Sequence, residues 1–193
     1  MYRNLLTESS LYPILRALDE KIAEETREQG CPCGGSLHRA CYRRKPRGAP
    51  PEVDSDKAYD LRWSFCCAVE GCRRRMTPPS TLFLGRKVYF GAVVVLVSVL
   101  RQGPSPTRLS RLKKLVGVSA RTVKRWRAWW LSSFVESDVW RAARGRLRAP
   151  ADASQLPLSL LEAFEGSPPL KLVYLLRFIA PLTTTSVPGG QIF

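Results

Sequence analysis

The sequence predicts a mainly α-helical protein with a small β domain. Apolar residues recur at helical spacing in residues 11–29 and 105–131, and a turn-rich block with six cysteines in or beside it lies between them. Such spacing indicates amphipathic helices, whereas clustered prolines and glycines exclude long regular elements. We therefore expect four segments: an N-terminal helix (1–30), a cysteine-containing β domain (31–80), a helical domain (81–148) and a C-terminal tail with one apolar helix (149–193).

The net charge of the chain is strongly positive and unevenly distributed. The 31 lysines and arginines against 16 carboxylates give a formal charge of +15. Residues 101–148 alone contain 13 of these cations and only two carboxylates. A charge of this size exceeds what solubility requires, and it indicates an anionic partner such as nucleic acid or an acidic membrane surface.

The apolar runs argue against a membrane. The longest, "VYFGAVVVLVSVL", has 13 residues, and a membrane helix needs about 20. The first residues also lack the pattern of a secretory signal, because carboxylates precede any long apolar run. We expect a cytoplasmic, nucleoid-associated protein, in which cysteines are more often metal ligands than disulfides.

The N-terminal helix is predicted from one apolar face. That face contains Leu11, Ile14, Leu15, Leu18 and Ile22, and Gly30 follows as the stop signal. Asp19 and the glutamates lie mostly off this face.

The cysteines of the β domain fall into two close-set groups. Cys31 and Cys33 lie in "CPCGG", and three more lie in "FCCAVEGC". Two such groups on turns, separated by a strand, have the layout of a zinc ribbon, in which tetrahedral thiolates bind Zn²⁺. Zinc would also stabilise a segment too rich in proline and arginine to form a large core.

Strand alternation selects among these cysteines. The segment "AYDLRWSFCC" is predicted as one half-buried strand with Leu61, Trp63 and Phe65 on the same face as Cys67. Cys67 is therefore preferred to Cys66. The predicted zinc ligands are Cys31, Cys33, Cys67 and Cys72, and the alternative ligands are Cys66, Cys41 and His38.

The helical domain contains three predicted helices. The segment from Val88 to Arg101 is expected to be a buried helix. Ser105 and Pro106 then suit the start of a short helix with an apolar stripe at Leu109, Leu112, Leu115 and Val116. Gly117 ends it, Ser119 caps the next helix, and Val123, Trp126 and Trp130 are its inward positions.

Two short helices joined by a glycine turn are typical of a helix-turn-helix, whose second helix enters the DNA major groove. The outward positions of that second helix are polar or basic, and arginine above all reads guanine. The cations on or before the first helix are expected to meet phosphates. The candidate DNA-binding residues are Arg108, Arg111, Lys113, Lys114, Ser119, Arg121, Thr122, Lys124 and Arg125.

The order of these motifs resembles the recognition half of certain bacterial insertion-sequence transposases. It runs from the cysteine groups through "RRRMTPPS" and "QGPSPTRLSRL" to "GVSARTVKRWRAWW", over residues 31–131. The resemblance implies a zinc ribbon before a helix-turn-helix that binds transposon ends. It also implies a following ribonuclease-H-like domain with three carboxylates, for which too few acidic residues follow Trp130. We therefore expect a DNA-recognition protein that is not itself an enzyme.

Other functions and partners stay open at this point. A basic zinc protein that binds structured RNA or the ribosome is the main alternative, because "YRRKPRG" suits shaped RNA as well as DNA. A compact nuclease or a thiol-dependent enzyme is a third interpretation. The sequence argues against it, because no cluster of carboxylates and no nucleophile paired with a base is found. Besides duplex DNA, the expected partners are a separate transposase or recombinase and, through the "LKLVYLLRFIAPL" helix, a second copy of the chain.

Overall fold

Helices dominate the computed structural model, which describes residues 2, 4–84, 89–99, 110 and 113–184. The α-helices in these residues are α1 (Leu11–Gln29), α2 (Pro51–Ser55), α3 (Gly91–Ser98), α4 (Ala120–Leu131), α5 (Asp138–Ala143), α6 (Leu158–Glu162) and α7 (Pro168–Ile179). A further helical turn covers residues 113–116. Short 3-10 helices lie at Asn4–Thr7, Lys57–Asp60, Arg144–Arg146, Ala153–Gln155 and Ala180–Thr183.

The strands are short and form two antiparallel sheets. They are β1 (Leu37–Arg39), β2 (Tyr42–Arg43), β3 (Leu61–Arg62), β4 (Phe65–Cys67) and β5 (Arg75–Met76). The first sheet has the order β1-β4-β5, and β2 pairs with β3 in the second. The predicted mainly helical class with a small β segment is confirmed.

The single strand predicted through "AYDLRWSFCC" is wrong. Its first part is the 3-10 helix Lys57–Asp60, and the rest splits into β3 and β4, which pair with different strands. Arg62 and Ser64 are buried in place of Leu61 and Trp63. Arg62 donates to the carbonyl of Pro78, and Ser64 lies close to Met76 O and to the Thr77 hydroxyl. These polar partners, distant along the chain, override the expected alternation.

Most of the helices share one hydrophobic core. Each of the seven described α-helices contributes buried side chains to it, among them Tyr12, Trp126 and Leu176, and Phe90 adds its ring from the position just before α3. A second, smaller cluster lies in the cysteine segment and contains Ala23 of α1 together with side chains from β1, β4 and β5. The division of the chain into four segments stays a prediction. All four segments contribute to the first core, 31–80 through Val53 and Tyr59.

The apolar face of α1 is rotated from the predicted one. Ile14 is 51% exposed, while Tyr12, Asp19 and Ala23 are buried. The prediction for Asp19 was therefore wrong. The carboxylate of Asp19 is buried because polar groups from another part of the chain hydrogen-bond to it.

Asp19 joins α1 to the segment that follows the sheet. One carboxylate oxygen accepts the backbone N–H of Thr81 at 2.5 Å, and the other accepts the Ser80 hydroxyl. Burial raises the pKa of Asp19, whereas these hydrogen bonds and the charge of Arg62 lower it. A buried carboxylate with donors on both oxygens fixes the position of α1 relative to residues 80–81.

We expect Asp19→Ala to destabilise the protein by about 2–3 kcal/mol, because the N–H of Thr81 and the hydroxyl of Ser80 would remain buried without an acceptor. Urea unfolding followed by circular dichroism measures this loss. The matched control is Glu20→Ala, which removes only an exposed pair with Arg16 at 3.0 Å and should change stability by less than about 1 kcal/mol. Equal effects of the two substitutions would contradict the role given to Asp19.

The helices after the sheet follow the predicted order. Of the buried helix expected over Val88 to Arg101, the structure shows α3 (Gly91–Ser98), and the apolar C-terminal helix is observed as α7. Tyr89 and Phe90 form β-bridges instead of the first helical turn, and Val88, Leu100 and Arg101 lie outside the described residues. Pro168 and Pro169 do not interrupt α7; they occupy its first turn, where a missing N–H is tolerated. Much of the short helix predicted before Gly117 lies outside the described residues, including Ser105, Pro106, Leu109 and Leu112. Leu115 was predicted to point inward, which is wrong, because it is 43% exposed.

Candidate metal centre and nucleic-acid interface

The first cysteine pair lies where α1 ends. Gly30 has φ +72°, a conformation that suits glycine, and its N–H donates to Arg27 O at the end of the helix. The chain then turns back, with Gly34 N donating to Cys31 O at 2.8 Å and Cys31 N to Gly35 O at 2.9 Å. This turn places the Cys31 and Cys33 thiols on one side.

The second pair lies at the end of β4. Cys67 is opposite Leu37 in the sheet, and Ala68 N donates to Ser36 O at 2.9 Å, which joins the two cysteine turns. Cys72 follows in a turn closed by its own N–H to Val69 O at 3.0 Å. The antiparallel pairing of β1 with β4 therefore brings the second pair against the first.

The four predicted ligands form one cluster. The distance between Sγ atoms is 3.7 Å for Cys31 and Cys72 and 3.5 Å for Cys33 and Cys67, and all four sulfurs lie within 4.8 Å of one another. Four sulfurs at about 2.3 Å from a tetrahedral zinc ion are separated by about 3.8 Å. The tetrad can therefore hold a metal ion of this size.

Backbone amides surround these sulfurs. A hydrogen bond from Gly35 N–H and the neighbouring thiols lower the pKa of Cys33 to about 7. Burial raises the pKa of Cys67 to about 12, although the N–H of Val69 hydrogen-bonds to it and lowers the pKa. The Cys33 N–H lowers the pKa of Cys31, but burial and the thiols of Cys33 and Cys72 raise it overall. Amide donors of this kind favour thiolates, which are the form that binds metal.

Gly35 is a site residue that the sequence analysis did not single out. A Cβ at this position would lie 2.8 Å from Cys67 Sγ and 2.6 Å from a methyl of Val69. Glycine is therefore required for the close approach of the two turns. The sequence signal that could have identified it is the second glycine of "CPCGG".

The alternative ligands lie outside the tetrad. Cys66 is opposite His38 in the register of β1 and β4, on the other face of β4 from Cys67. Its thiol points to Arg73 O at 3.5 Å, and the thiol of Cys41 points to Ser64 O at 3.7 Å. Strand alternation thus selected the cysteine that lies in the tetrad, even though the strand is shorter than predicted.

The basic helix α4 has two different faces. Val123, Trp126 and Trp130 are buried, as predicted. Arg121, Lys124 and Arg125 are exposed. The helix therefore packs through its apolar residues and presents three cations outward.

The predicted cap at the start of α4 is confirmed. Ser119 Oγ accepts the N–H of Thr122 at 3.2 Å and lies 3.0 Å from the Thr122 hydroxyl. Thr122 is half-buried in this contact. Its hydroxyl therefore has a structural partner, and its predicted contact with DNA stays a prediction.

The turn before α4 is fixed by Gly117 and its neighbours. Gly117 has φ +66°, Val118 is fully buried, and the Tyr89 hydroxyl donates to Gly117 O at 3.1 Å. Lys113 and Lys114 on the preceding helical turn are exposed. The candidate phosphate contacts Arg108 and Arg111 lie outside the described residues.

No protein-family model, curated protein or solved structure matches the chain significantly. Among the described residues, no helix combines the length and apolar character that crossing a membrane requires. The metal centre and the basic helix are therefore the features of this chain that indicate its function.

Proposed function

We propose that the protein binds duplex DNA in a sequence-specific manner through a helix-turn-helix, next to a structural zinc ribbon. The observation that carries this proposal is the division of α4 into a buried apolar face and an exposed face with Arg121, Lys124 and Arg125. These three cations occupy the N-terminal half of the helix, which is the part that enters the major groove in a helix-turn-helix.

The electrostatics of this end of α4 favour an anion. The N-terminus of a helix has a partial positive charge, and its first N–H groups have no partner within the helix. In α4 the Ser119 hydroxyl accepts the N–H of Thr122. No acidic residue lies in the first turn of α4, and the ion pairs found among the described residues do not involve its cations. Phosphate is the ligand that this combination suits.

The choice of zinc follows from the ligand set. Four thiolates in a tetrahedron satisfy Zn²⁺ without an open position, which is typical of a structural site and not of a catalytic one. The small cluster of apolar side chains around the sheet supplies little stability by itself, so the metal would contribute most of it. Recognition of mobile-element ends or of an operator, beside a separate recombinase, remains the expected biological setting.

Binding of structured RNA is the second candidate. Arg39 lies 5.4 Å from the centre of the Trp63 ring and Arg75 lies 5.5 Å from that of Tyr42, so the ribbon presents arginine–aromatic pairs. Such pairs stack on unpaired bases. Competition of a labelled duplex with unlabelled structured RNA separates the two functions, and a preference for RNA would contradict the proposal.

Arg125→Ala and Lys114→Ala are expected to affect DNA binding differently. Loss of an arginine that contacts a base edge should cost about 1–3 kcal/mol on a selected site and relax base preference at one position. Loss of a phosphate contact should weaken selected and scrambled duplexes equally. Fluorescence anisotropy on both duplexes measures this. If both variants lower the two affinities by one common factor, α4 does not read sequence.

A further inference from the structure

We infer that the basic loop at residues 43–47, which begins with the last residue of β2 in the cysteine segment, is a second phosphate-binding element of the same DNA interface. It lies beside the turn that precedes α4. This inference rests on the proposed function, because it places another part of the chain on the DNA that α4 would bind. The loop contains the sequence "RRKPR", which the metal centre does not use.

A single tyrosine connects this loop to α4. Arg47 forms a parallel β-bridge with Tyr89, and Phe90 N donates to Arg47 O at 3.3 Å. The ring of Tyr89 packs edge-on against Trp126 at 5.1 Å between centroids, and its hydroxyl donates to Gly117 O. The backbone of the loop therefore lies one side chain away from both the turn and the centre of α4.

Gly48 allows this close approach. It has φ +86°, and a Cβ there would lie 3.4 Å from Cδ1 of Tyr89 and 3.1 Å from a methyl of Val93 in α3. Pro46 is buried on the other side of Arg47. The end of the loop is thus packed against the helical core, which fixes the backbone of Arg47 beside Tyr89.

Three cationic side chains of the loop are exposed to solvent. Arg43, Lys45 and Arg47 are exposed, and none of them forms an ion pair with a carboxylate in the described part of the chain. Arg43 makes one hydrogen bond, to Lys57 O at 3.4 Å. Arg44 differs, since it is half-buried with its guanidinium 5.7 Å from the centre of the Phe83 ring.

The surrounding charges set the limits of this surface. Glu52 and Asp54 lie on α2, after Pro50, and Asp60 lies in the 3-10 helix before β3. The three exposed cations precede these carboxylates in the chain. The last of them, Arg47, pairs through its backbone with Tyr89, whose hydroxyl donates to Gly117 O in the turn before α4. Positive charges on two neighbouring elements can contact more phosphates of a DNA backbone than the charges of a single helix can. Point charges on a loop fix orientation and do not read bases.

The test is the salt dependence of duplex binding by the full chain carrying Lys45→Ala and Arg47→Ala together. Each lost phosphate contact reduces the log–log slope by about 0.9, so the slope should become shallower by about 1.8. The preference for a selected over a scrambled duplex should be unchanged. The matched control is Lys21→Ala with Arg27→Ala on α1, which removes the same charge from exposed positions among acidic residues and should leave the slope near that of the unmodified chain.

The outcomes separate this inference from the proposed function. One outcome would overturn the role of the loop and retain the proposed function. In it, Lys45→Ala/Arg47→Ala has the same salt slope as the α1 control, while Arg125→Ala loses base preference. A salt-independent affinity of the unmodified chain overturns both, as does a preference for structured RNA. If the double variant unfolds, hydroxyl-radical footprinting of DNA bound by the unmodified chain replaces it. Protected sugars outside the stretch of DNA that α4 covers support phosphate binding by the loop, and their absence overturns it.

Discussion

Replacing Cys31 or Cys72 by serine is expected to abolish stoichiometric metal binding. The sulfurs of these residues are 3.7 Å apart on opposite cysteine turns, so either change removes one of four ligands and one of the links between the turns. A serine hydroxyl is a harder and far less acidic donor than a thiol, and it does not replace a thiolate on zinc. Elemental analysis should give about one zinc per chain before the change and well under half afterwards.

Cys66→Ser is the matched control for this prediction. Cys66 is adjacent to a ligand in sequence, but its thiol points to backbone carbonyls outside the cluster, so the variant should keep its metal. Chelation should also unfold the cysteine segment before α4, because α4 belongs to the larger apolar core. Protein prepared without chelator that contains no metal would refute the zinc assignment, and loss of metal in Cys66→Ser would refute the ligand set.

Trp126→Ala is expected to cost about 3–5 kcal/mol in the free energy of unfolding, as truncation of a buried aromatic side chain does. The indole is almost fully buried and packs edge-on against Tyr89. The substitution would leave a cavity between α4 and the segment that also supports the loop at residues 43–47. Denaturant unfolding monitored by circular dichroism measures the loss.

Leu131→Ala provides the control on the same helix, because Leu131 is 45% exposed. Surface substitutions of this kind usually change stability by less than about 0.5 kcal/mol. Arg125→Ala, which is predicted to weaken DNA binding, should also leave stability nearly unchanged. A Trp126→Ala chain that unfolds like these controls would show that this indole is not a core residue.

Several features of the site could be predicted from short-range patterns. The alternation of a strand separates Cys66 from Cys67, and the helical period places Val123, Trp126 and Trp130 on one face; both patterns are set by backbone geometry within a few residues. The cap at Ser119 is equally local, since its hydroxyl meets an N–H three positions later. These predictions did not depend on where the rest of the chain lies.

Tertiary contacts decided the rest. Asp19 is buried because Ser80 and Thr81, more than 60 positions later, supply its hydrogen bonds, and no local pattern encodes that meeting. The strand through Phe65 is broken for a similar reason, as Arg62 turns inward to reach Pro78 O. A hydrophobic pattern indicates which residues of an element are buried, but it does not indicate which distant donors stabilise a buried polar group.

The same distinction applies to the proposed interface. The amino-acid sequence by itself determined that residues 101–148 are strongly basic and that α4 is amphipathic. It favoured four cysteines as ligands but left Cys66, Cys41 and His38 as alternatives, and the structure brought the four sulfurs together. Only the tertiary structure placed the loop at residues 43–47 beside the turn of α4, through Tyr89. The reason is physical: local periodicity sets which face of an element is buried, whereas the neighbour of that element depends on packing between segments far apart in the chain.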